Sequence, residues 1–363
     1  MKALIMAAGY GTRLEPLTLA VPKPMVPIVN LPTMQHNIEL LKRHGIKDIT
    51  ANIHYHPEQI ENYFGDGDCL GVNLTYSYEE DLLGTAGGVK RMTEISRVND
   101  TFLVLSSDAL TDINIKHIIE YHKKKKALVT IALAKMEEVS QFGVVVHDAD
   151  GKITGFQEKP KPEEAKGDQV NAGIYIFEPK VLKMIPDGPY DFGKQLFPEL
   201  VEKGAPVYGY PMIEYWNDVG GLEKYIQSSY DAMKGVVQIR IPGKRVSRST
   251  WIGLREKISQ SARFEGSVII GDRCSIGNDV YIKDAVIGDK CVIEDGAVIT
   301  GSVIWSDNII QKKAQIDCSV IGNWCQVGEG ARILAGSIVP NRCIVRKGSE
   351  VPAKSRLKPN TVA

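Results

Sequence analysis

The chain lacks the features that mark several large functional classes. It has no hydrophobic run long enough to span a bilayer. Its apolar start, MKALIM, meets Gly9 and Arg13 too soon for a secretory signal. Charge of neither sign dominates: Lys plus Arg and Asp plus Glu are both 44 in 363 residues. That excludes a nucleic-acid or membrane surface built on bulk charge. The six cysteines include no CxxC pair, so zinc spacing is missing. No histidine follows His147, and no G-x-x-x-x-G-K-[ST] loop occurs. Together these absences predict a cytoplasmic protein that partners neither nucleic acid nor membrane.

What is present divides into two grammars. The length exceeds one comfortable core, so two domains are expected. Residues 1–235 alternate short β-rich runs with helical patterns. Lys2–Met6, Asp48–Ile53, Val72–Tyr78, Thr101–Leu105 and Leu128–Leu133 read as strands. Thr33–His44 and Ile113–Tyr121 read as helices, the first with Met34, Ile38 and Leu41 on one face and Gly45 as its stop. TFLVL is apolar throughout, as suits a strand buried on both faces. The alternation predicts an α/β fold, a Rossmann-like and mainly parallel sheet covered by helices. GVVVHDADGKITGF predicts a hairpin around Asp150-Gly151, hence an antiparallel insertion. The KKKK run at 123–126 reads as a solvated helix end, where lysine suits the dipole.

Beyond residue 250 the period changes. Aliphatic residues recur about every six positions: Ile258, Phe264, Ile270, Ile276, Ile282, Ile287, Ile293, Ile299, then Ile310, Ile316, Val327 and Ile333. Glycine often follows at once, and a small residue comes four positions on: Cys274, Cys291, Ala297, Ala314, Cys325 and Ala331. This is the hexapeptide signature of a left-handed parallel β-helix, whose coils stack one on the next. It makes three cysteines small inward packers. The predicted domains are therefore a catalytic domain at 1–235, a linker at 236–250 and a β-helix at 251–363.

The stretch AAGYGTRLEPLT, after the first strand, looks built for phosphate. A dinucleotide fingerprint needs a third glycine where Leu14 stands and an acid about 20 residues on; Asn30 lies near there, and no acid follows until Glu39. The loop still has what phosphate needs. Gly9 and Gly11 let backbone N–H groups come close, and Ala8 and Thr12 flank them as further nucleotide-binding positions. Arg13 adds a permanent forked charge. In Pro22-Lys23-Pro24 stiff neighbours aim one ammonium. Asp108 follows the buried strand TFLVLSS, at the carboxyl edge where open α/β sheets bind ligands. Asp218, in WNDVG, also ends a predicted strand. Two separated aspartates suit a Mg²⁺ that keeps waters and bridges phosphate oxygens. His54 and His56, in NIHYH, have no third ligand nearby and read as packing or surface residues.

A-G-x-G-T-R-L-x-P-L-T followed by P-K-P resembles the sugar-1-phosphate nucleotidylyltransferases. LGTAGG (83–88), SSDAL (106–110), FGVVV (142–146), QEKP (157–160), NAGIYIF (171–177), WNDVG (216–220) and the hexapeptide tail extend the resemblance along the whole chain. Within the family, PYDFGKQLFPEL (189–200) and the short tail are most similar to the mannose-1-phosphate guanylyltransferases. The resemblance implies transfer of a nucleotidyl group from an NTP to a sugar-1-phosphate, with pyrophosphate released. It implies Mg²⁺ on Asp108 and Asp218. It assigns Arg13 to the triphosphate, Lys23 to the α-phosphate or the sugar phosphate, Glu158 to sugar hydroxyls and Lys159 to the sugar phosphate. Gly143 and Asn171 fall in the sugar pocket.

Glu79, Gly84 and Thr85 fall in the base-reading segment. Thymidylyl and uridylyl relatives carry glutamine where Glu79 stands. An ionised carboxylate only accepts, which favours the two adjacent donors of guanine. The best-matched pair is GTP with mannose-1-phosphate; a glucose-1-phosphate thymidylyl-, uridylyl- or adenylyltransferase and a nucleotide-sugar-sensing regulatory subunit remain the alternatives. Some hexapeptide tails are acyltransferases that use a histidine base. With no histidine in this one, a structural, homo-oligomer-forming role is expected of it.

Overall fold

The computed structural model describes residues 1–363, with the side chain of Glu158 outside the described part. Its contacts divide the chain into two compact units. One comprises Met1–Tyr10 and Met34–Asp218; the other comprises Gly11–Thr33 and Val219–Ala363.

The first unit is built on one mixed sheet. Its strands are β1 (Ala3–Met6), β2 (Asp48–Ile53), β3 (Asn73–Tyr78), β4 (Phe102–Ser106), β5 (Val129–Lys135), β6 (Gly143–His147), β7 (Ile153–Glu158), β8 (Gln169–Phe177) and β9 (Val207–Pro211). The order runs β7-β6-β8-β4-β1-β2-β3, with β5 on β8 and β9 on β5. β3, β2, β1 and β4 are parallel neighbours. β8 enters antiparallel against β4, and β6–β7 is the expected hairpin, turning at Asp150-Gly151 with Gly151 at φ 84°. The four apolar residues of FLVL are all buried, so both faces of β4 are covered, and in the sheet it lies between β8 and β1. Phe177, Phe192 and Phe197 stack in sequence, with centroids 5.2 and 5.3 Å apart.

The helices follow chain logic. α1 (Thr33–Arg43) ends before Gly45, as its apolar spacing predicts. α2 is Pro57–Phe64. LGTAGG, which the sequence reading treats only as a base-contact segment, opens α3 (Gly84–Ile95). α4 (Ile115–Lys125) is capped by Asn114, whose side chain accepts from the N–H groups of Lys116 and His117, and its last turn carries the lysine run. There Lys125 pairs with Asp150.

The second unit holds a strap, Gly11–Thr33, together with α5 (Leu222–Lys234) and the β-helix. Successive coils pair in parallel: Ser275 with Val292, Val292 with Ile309, and Ile309 with Gln326. The inward ladder contains the aliphatic residues the repeat predicts from Ile270 onward, and Cys274, Cys291 and Cys325 lie among them; Cys343 joins them. A Cβ on Gly288 would come 2.6 Å from the carbonyl carbon of Trp305 in the next coil, which explains the recurring Ile-Gly pair. At one corner Leu254 N donates to Asp272, Asp272 N to Asp289, Asp289 N to Ser306, Ser306 N to Asn323 and Asn323 N to Asn341. That repeating acceptor closes each turn on the next.

Candidate active site

In the first unit the strand order reverses between β1 and β4, the place where open α/β sheets leave a crevice beyond their carboxyl ends. Met6 and Ser106 are register partners there. The chain leaves β1 into Ala7-Ala8-Gly9-Tyr10 and leaves β4 into Ser107-Asp108. Ala7 N donates to Asn52 Oδ1 (2.7 Å), and Tyr10 shares a hydrogen bond with His54 (2.9 Å), so the phosphate loop is tied at its root to β2 and the turn after it. His54 also meets the Glu79 carbonyl oxygen (2.8 Å). It is a fastener, in keeping with its reading as a packing residue.

A short backbone pairing links the segments that follow Asp108 and precede Asp218. Two residues past Asp108, Leu110–Thr111 pairs antiparallel with Trp216–Asn217, and Asn217 lies opposite Leu110. Continuing that register sets Asp218 across from Ala109, next to Asp108. Ser106 Oγ donates to Asp108 Oδ1, and Asp218 is 7% exposed. No cluster of three His, Cys, Asp or Glu that could hold a metal occurs among the described residues. A pair of carboxylates with few protein ligands fits Mg²⁺, which prefers to keep waters and take substrate phosphates.

The predicted sugar residues fall on one line. Glu158 on β7 is the register partner of Gly143 on β6. Val144 partners Val170 on β8, which sets Gly143 beside Asn171. The Glu158 side chain lies outside the described part; Lys159 follows it, exposed and at φ 46°. Asn171 Oδ1 accepts from Gly173 N (3.0 Å). Trp216 joins this line to the aspartates: its indole N–H donates to the Ala172 carbonyl (2.8 Å), two residues before Asp218 in the chain.

Glu79 is turned inward and only 4% exposed. Its Oε1 accepts from Asn52 Nδ2 (2.6 Å) and its Oε2 from Leu83 N (2.9 Å). The first task of this carboxylate is thus to fix the turn that leads into Gly84 and Thr85. Thr85 Oγ1 donates to Asp191 (3.0 Å) and accepts from Phe192 N (2.7 Å), so PYDFGKQLFPEL serves as the support of LGTAGG. Sequence reasoning did not single out Asn52 or Asp191. Asn52 is an amide near the carboxyl end of DITANI, a strand buried from Ile49 onward.

Arg13 and Lys23 belong to the strap of the second unit. Arg13 sits in a single helical turn, Thr12–Leu14, and is exposed. Lys23 is 7% exposed. Its stem passes Gly11, where a Cβ would lie 2.7 Å from that of Lys23, and Gly11 is at φ 71°. Glycine at position 11 therefore answers both to a backbone angle and to the passage of Lys23. Thr18 Oγ1 donates to the Gly11 carbonyl (2.9 Å) and closes the strap on itself.

Residues 2–235 match the sequence model of the nucleotidyl transferase family. The chain belongs to that family. A second match, to the LbH domain of the EIF2B epsilon subunit, covers residues 249–351 of this nucleotidyltransferase. A UTP–glucose-1-phosphate uridylyltransferase of Synechocystis is 40% identical, covering 98% of this chain and 91% of that protein. A mannose-1-phosphate guanyltransferase of Yarrowia lipolytica is 42% identical over 63% of each chain. A mannose-1-phosphate guanylyltransferase of Mycobacterium tuberculosis is 33% identical, over 78% of this chain and 79% of that one. The structure of a putative glucose-1-phosphate thymidylyltransferase from Bacillus anthracis, in complex with a sucrose, superposes with a TM-score of 0.57. It is 25% identical and covers 63% of this chain and 94% of its own.

Proposed function

We propose that this nucleotidyltransferase joins an NTP and a sugar-1-phosphate into an NDP-sugar and pyrophosphate, with GTP and mannose-1-phosphate as its pair. The observation that supports the reading is the short ladder Leu110–Thr111 with Trp216–Asn217, which joins the segment after Asp108 to the one before Asp218. The sugar phosphate is already an anion near neutral pH, so it attacks the α-phosphorus in line without a general base. The task of the protein is to hold two polyanions together and offset their repulsion. Bound to Asp108 and Asp218, Mg²⁺ would neutralise charge on the phosphate oxygens. Arg13 binds the triphosphate and the departing pyrophosphate, with Ala8, Gly9, Gly11 and Thr12 as backbone donors. Lys23 contacts the α-phosphate or the sugar phosphate. Gly84 and Thr85 line the base side, with Glu79 holding their turn. Gly143, Glu158, Lys159 and Asn171 receive the sugar phosphate.

UTP with glucose-1-phosphate is the second reading. The Synechocystis relative, similar along nearly the full chain, favours it, and the inward turn of Glu79, whose two oxygens are both engaged, weakens the case for guanine. Pyrophosphate release measured for GTP, UTP, dTTP and ATP against mannose- and glucose-1-phosphate separates the two. Fastest turnover with GTP and mannose-1-phosphate is expected. Fastest turnover with UTP or dTTP refutes the guanine assignment, and no release with any pair leaves a nucleotide-sugar sensor. The domain limits 1–235, 236–250 and 251–363, a cytoplasmic location and self-association through the coils belong to the same proposal.

A further inference from the structure

The strap that carries Arg13 and Lys23 is fastened to the β-helix at both ends. All of the contacts lie within the second compact unit. On the Arg13 side, Arg356 in the last coils donates through Nη1 to the Glu15 carbonyl (3.1 Å). On the Lys23 side, Pro27–Ile28 and Leu31–Pro32 form a small hairpin. Its turn residues Val29 and Asn30 both have positive φ, 45° and 68°. That conformation is unfavourable for a β-branched residue. Val29 adopts it fully buried, so its surroundings hold it there. Asn30 Nδ2 donates to the Ile287 carbonyl of a coil (2.7 Å).

A buried relay braces the same hairpin. The Trp305 indole N–H, from another coil, donates to the Tyr225 hydroxyl (2.8 Å), and that hydroxyl donates to the Pro27 carbonyl (2.7 Å). Trp305 is 2% exposed and Tyr225 is completely buried. Burial pushes the Tyr225 hydroxyl well above its usual range, so it stays a proton donor. Neither side chain belongs to the inward ladder of the coils. A phenylalanine would pack there without the hydrogen bond.

We infer that the β-helix is a positioning frame for the phosphate strap: Trp305, Tyr225, Asn30 and Arg356 are positioning residues that set where Arg13 and Lys23 stand. This rests on the proposed nucleotidyl transfer. The coils thereby take part in the reaction without touching substrate. A ligand or partner that shifted the Trp305 coil would change turnover through the same relay.

The test is Trp305→Phe, Tyr225→Phe and the surface change Arg356→Gln in the full chain. Hydrogen–deuterium exchange is followed over 11–33 and over the sheet strands, alongside kcat and the KM for each substrate. The expected result is faster exchange in 11–33 with the strands of 34–218 unchanged. Turnover should fall about 10-fold while the KM for sugar-1-phosphate holds, since misplacing a binding group lowers the rate more than the affinity for the other reactant. Unchanged exchange in 11–33 overturns the inference. Faster exchange there with normal kcat also overturns it. Should Trp305→Phe or Tyr225→Phe unfold the chain, the exposed Arg356→Gln decides alone. If the wild type turns over no substrate pair, the nucleotidyl-transfer reading fails, and unchanged exchange in 11–33 would still sink the fastening by itself.

Discussion

Aspartates do opposite work in the two units. In the sheet unit, Asp108 precedes and Asp218 follows the strands of a two-residue ladder, whose register runs on toward Ala109 and Asp218. Two carboxylates converging with few protein ligands suit a hydrated divalent cation, as proposed above. In the coils, Asp272 and Asp289 each offer Oδ1 to a backbone N–H of the previous turn. The same place is filled by Ser306, Asn323 and Asn341 further along. In the proposed reaction the first pair serves by its charge; the coil pair serves as an acceptor at the right height. The lesson is that residue type alone does not mark a site: the repeat makes an aspartate replaceable, and its absence makes one specific.

The largest effect tests the first half of that contrast. Asp108→Asn and Asp218→Asn keep the shape and remove the charge. Turnover is expected to fall by about 10³-fold or more, because stabilisation of phosphate charge is the main task of the site. Melting temperature should stay close to that of the wild type, since Asn keeps an oxygen for the bond from Ser106 Oγ. Steady-state pyrophosphate release with Mg²⁺ and a thermal melt check both; near-normal activity would remove the residue from the metal site.

Glu79 lies between the two cases. It is buried like a structural acceptor, yet both its oxygens face donors, Asn52 Nδ2 and Leu83 N. Asn52 cannot turn over without losing the bond its Oδ1 accepts from Ala7 N. Glu79→Gln must therefore set an NH₂ against a donor. The expected loss is about 1–3 kcal/mol of stability, read as a lower denaturation midpoint. KM should rise together for every nucleotide tried if Glu79 only holds the turn. A change in the ratio of GTP to UTP turnover would show direct reading of the base.

Much of this was legible in the sequence, unevenly and for physical reasons. The coils were clear, since each hexapeptide repeats the same demand and the errors of one are corrected by the next. β1 and β4 were clear because a strand buried on both faces admits few polar residues. α3 was not, since GTAGG reads as a loop on propensity; its backbone is held by Tyr190, whose carbonyl accepts from Ala86 N and Gly87 N. The phosphate strap was visible as chemistry, in Arg13 and Lys23, but not as a part of the second unit. Its fastening depends on Asn30, Tyr225 and Trp305, which are scattered along the chain and belong to no motif. Side-chain bonds between distant positions leave no local pattern to read.

The smallest effect tests the second half of the contrast. Burial holds the Asp289 carboxyl above the ordinary aspartate range, against the lowering effect of the hydrogen bond from Asp272 N. An acid whose folded-state pKa is raised favours the fold in its protonated form. Its contribution is complete below the unfolded value, near about 3.9, and is lost as pH rises through the folded one. At neutral pH the coil therefore holds a carboxylate it would hold better uncharged. Asp289→Asn keeps Oδ1 for Asp272 N, as Asn323 and Asn341 do for their own coils. It should raise the melting temperature at pH 7 by an amount worth less than about 1 kcal/mol, with the gain vanishing near pH 4. Turnover should not change. A stability loss at pH 7, or a fall in kcat, would mean that charge matters in the coils as it does beside β4.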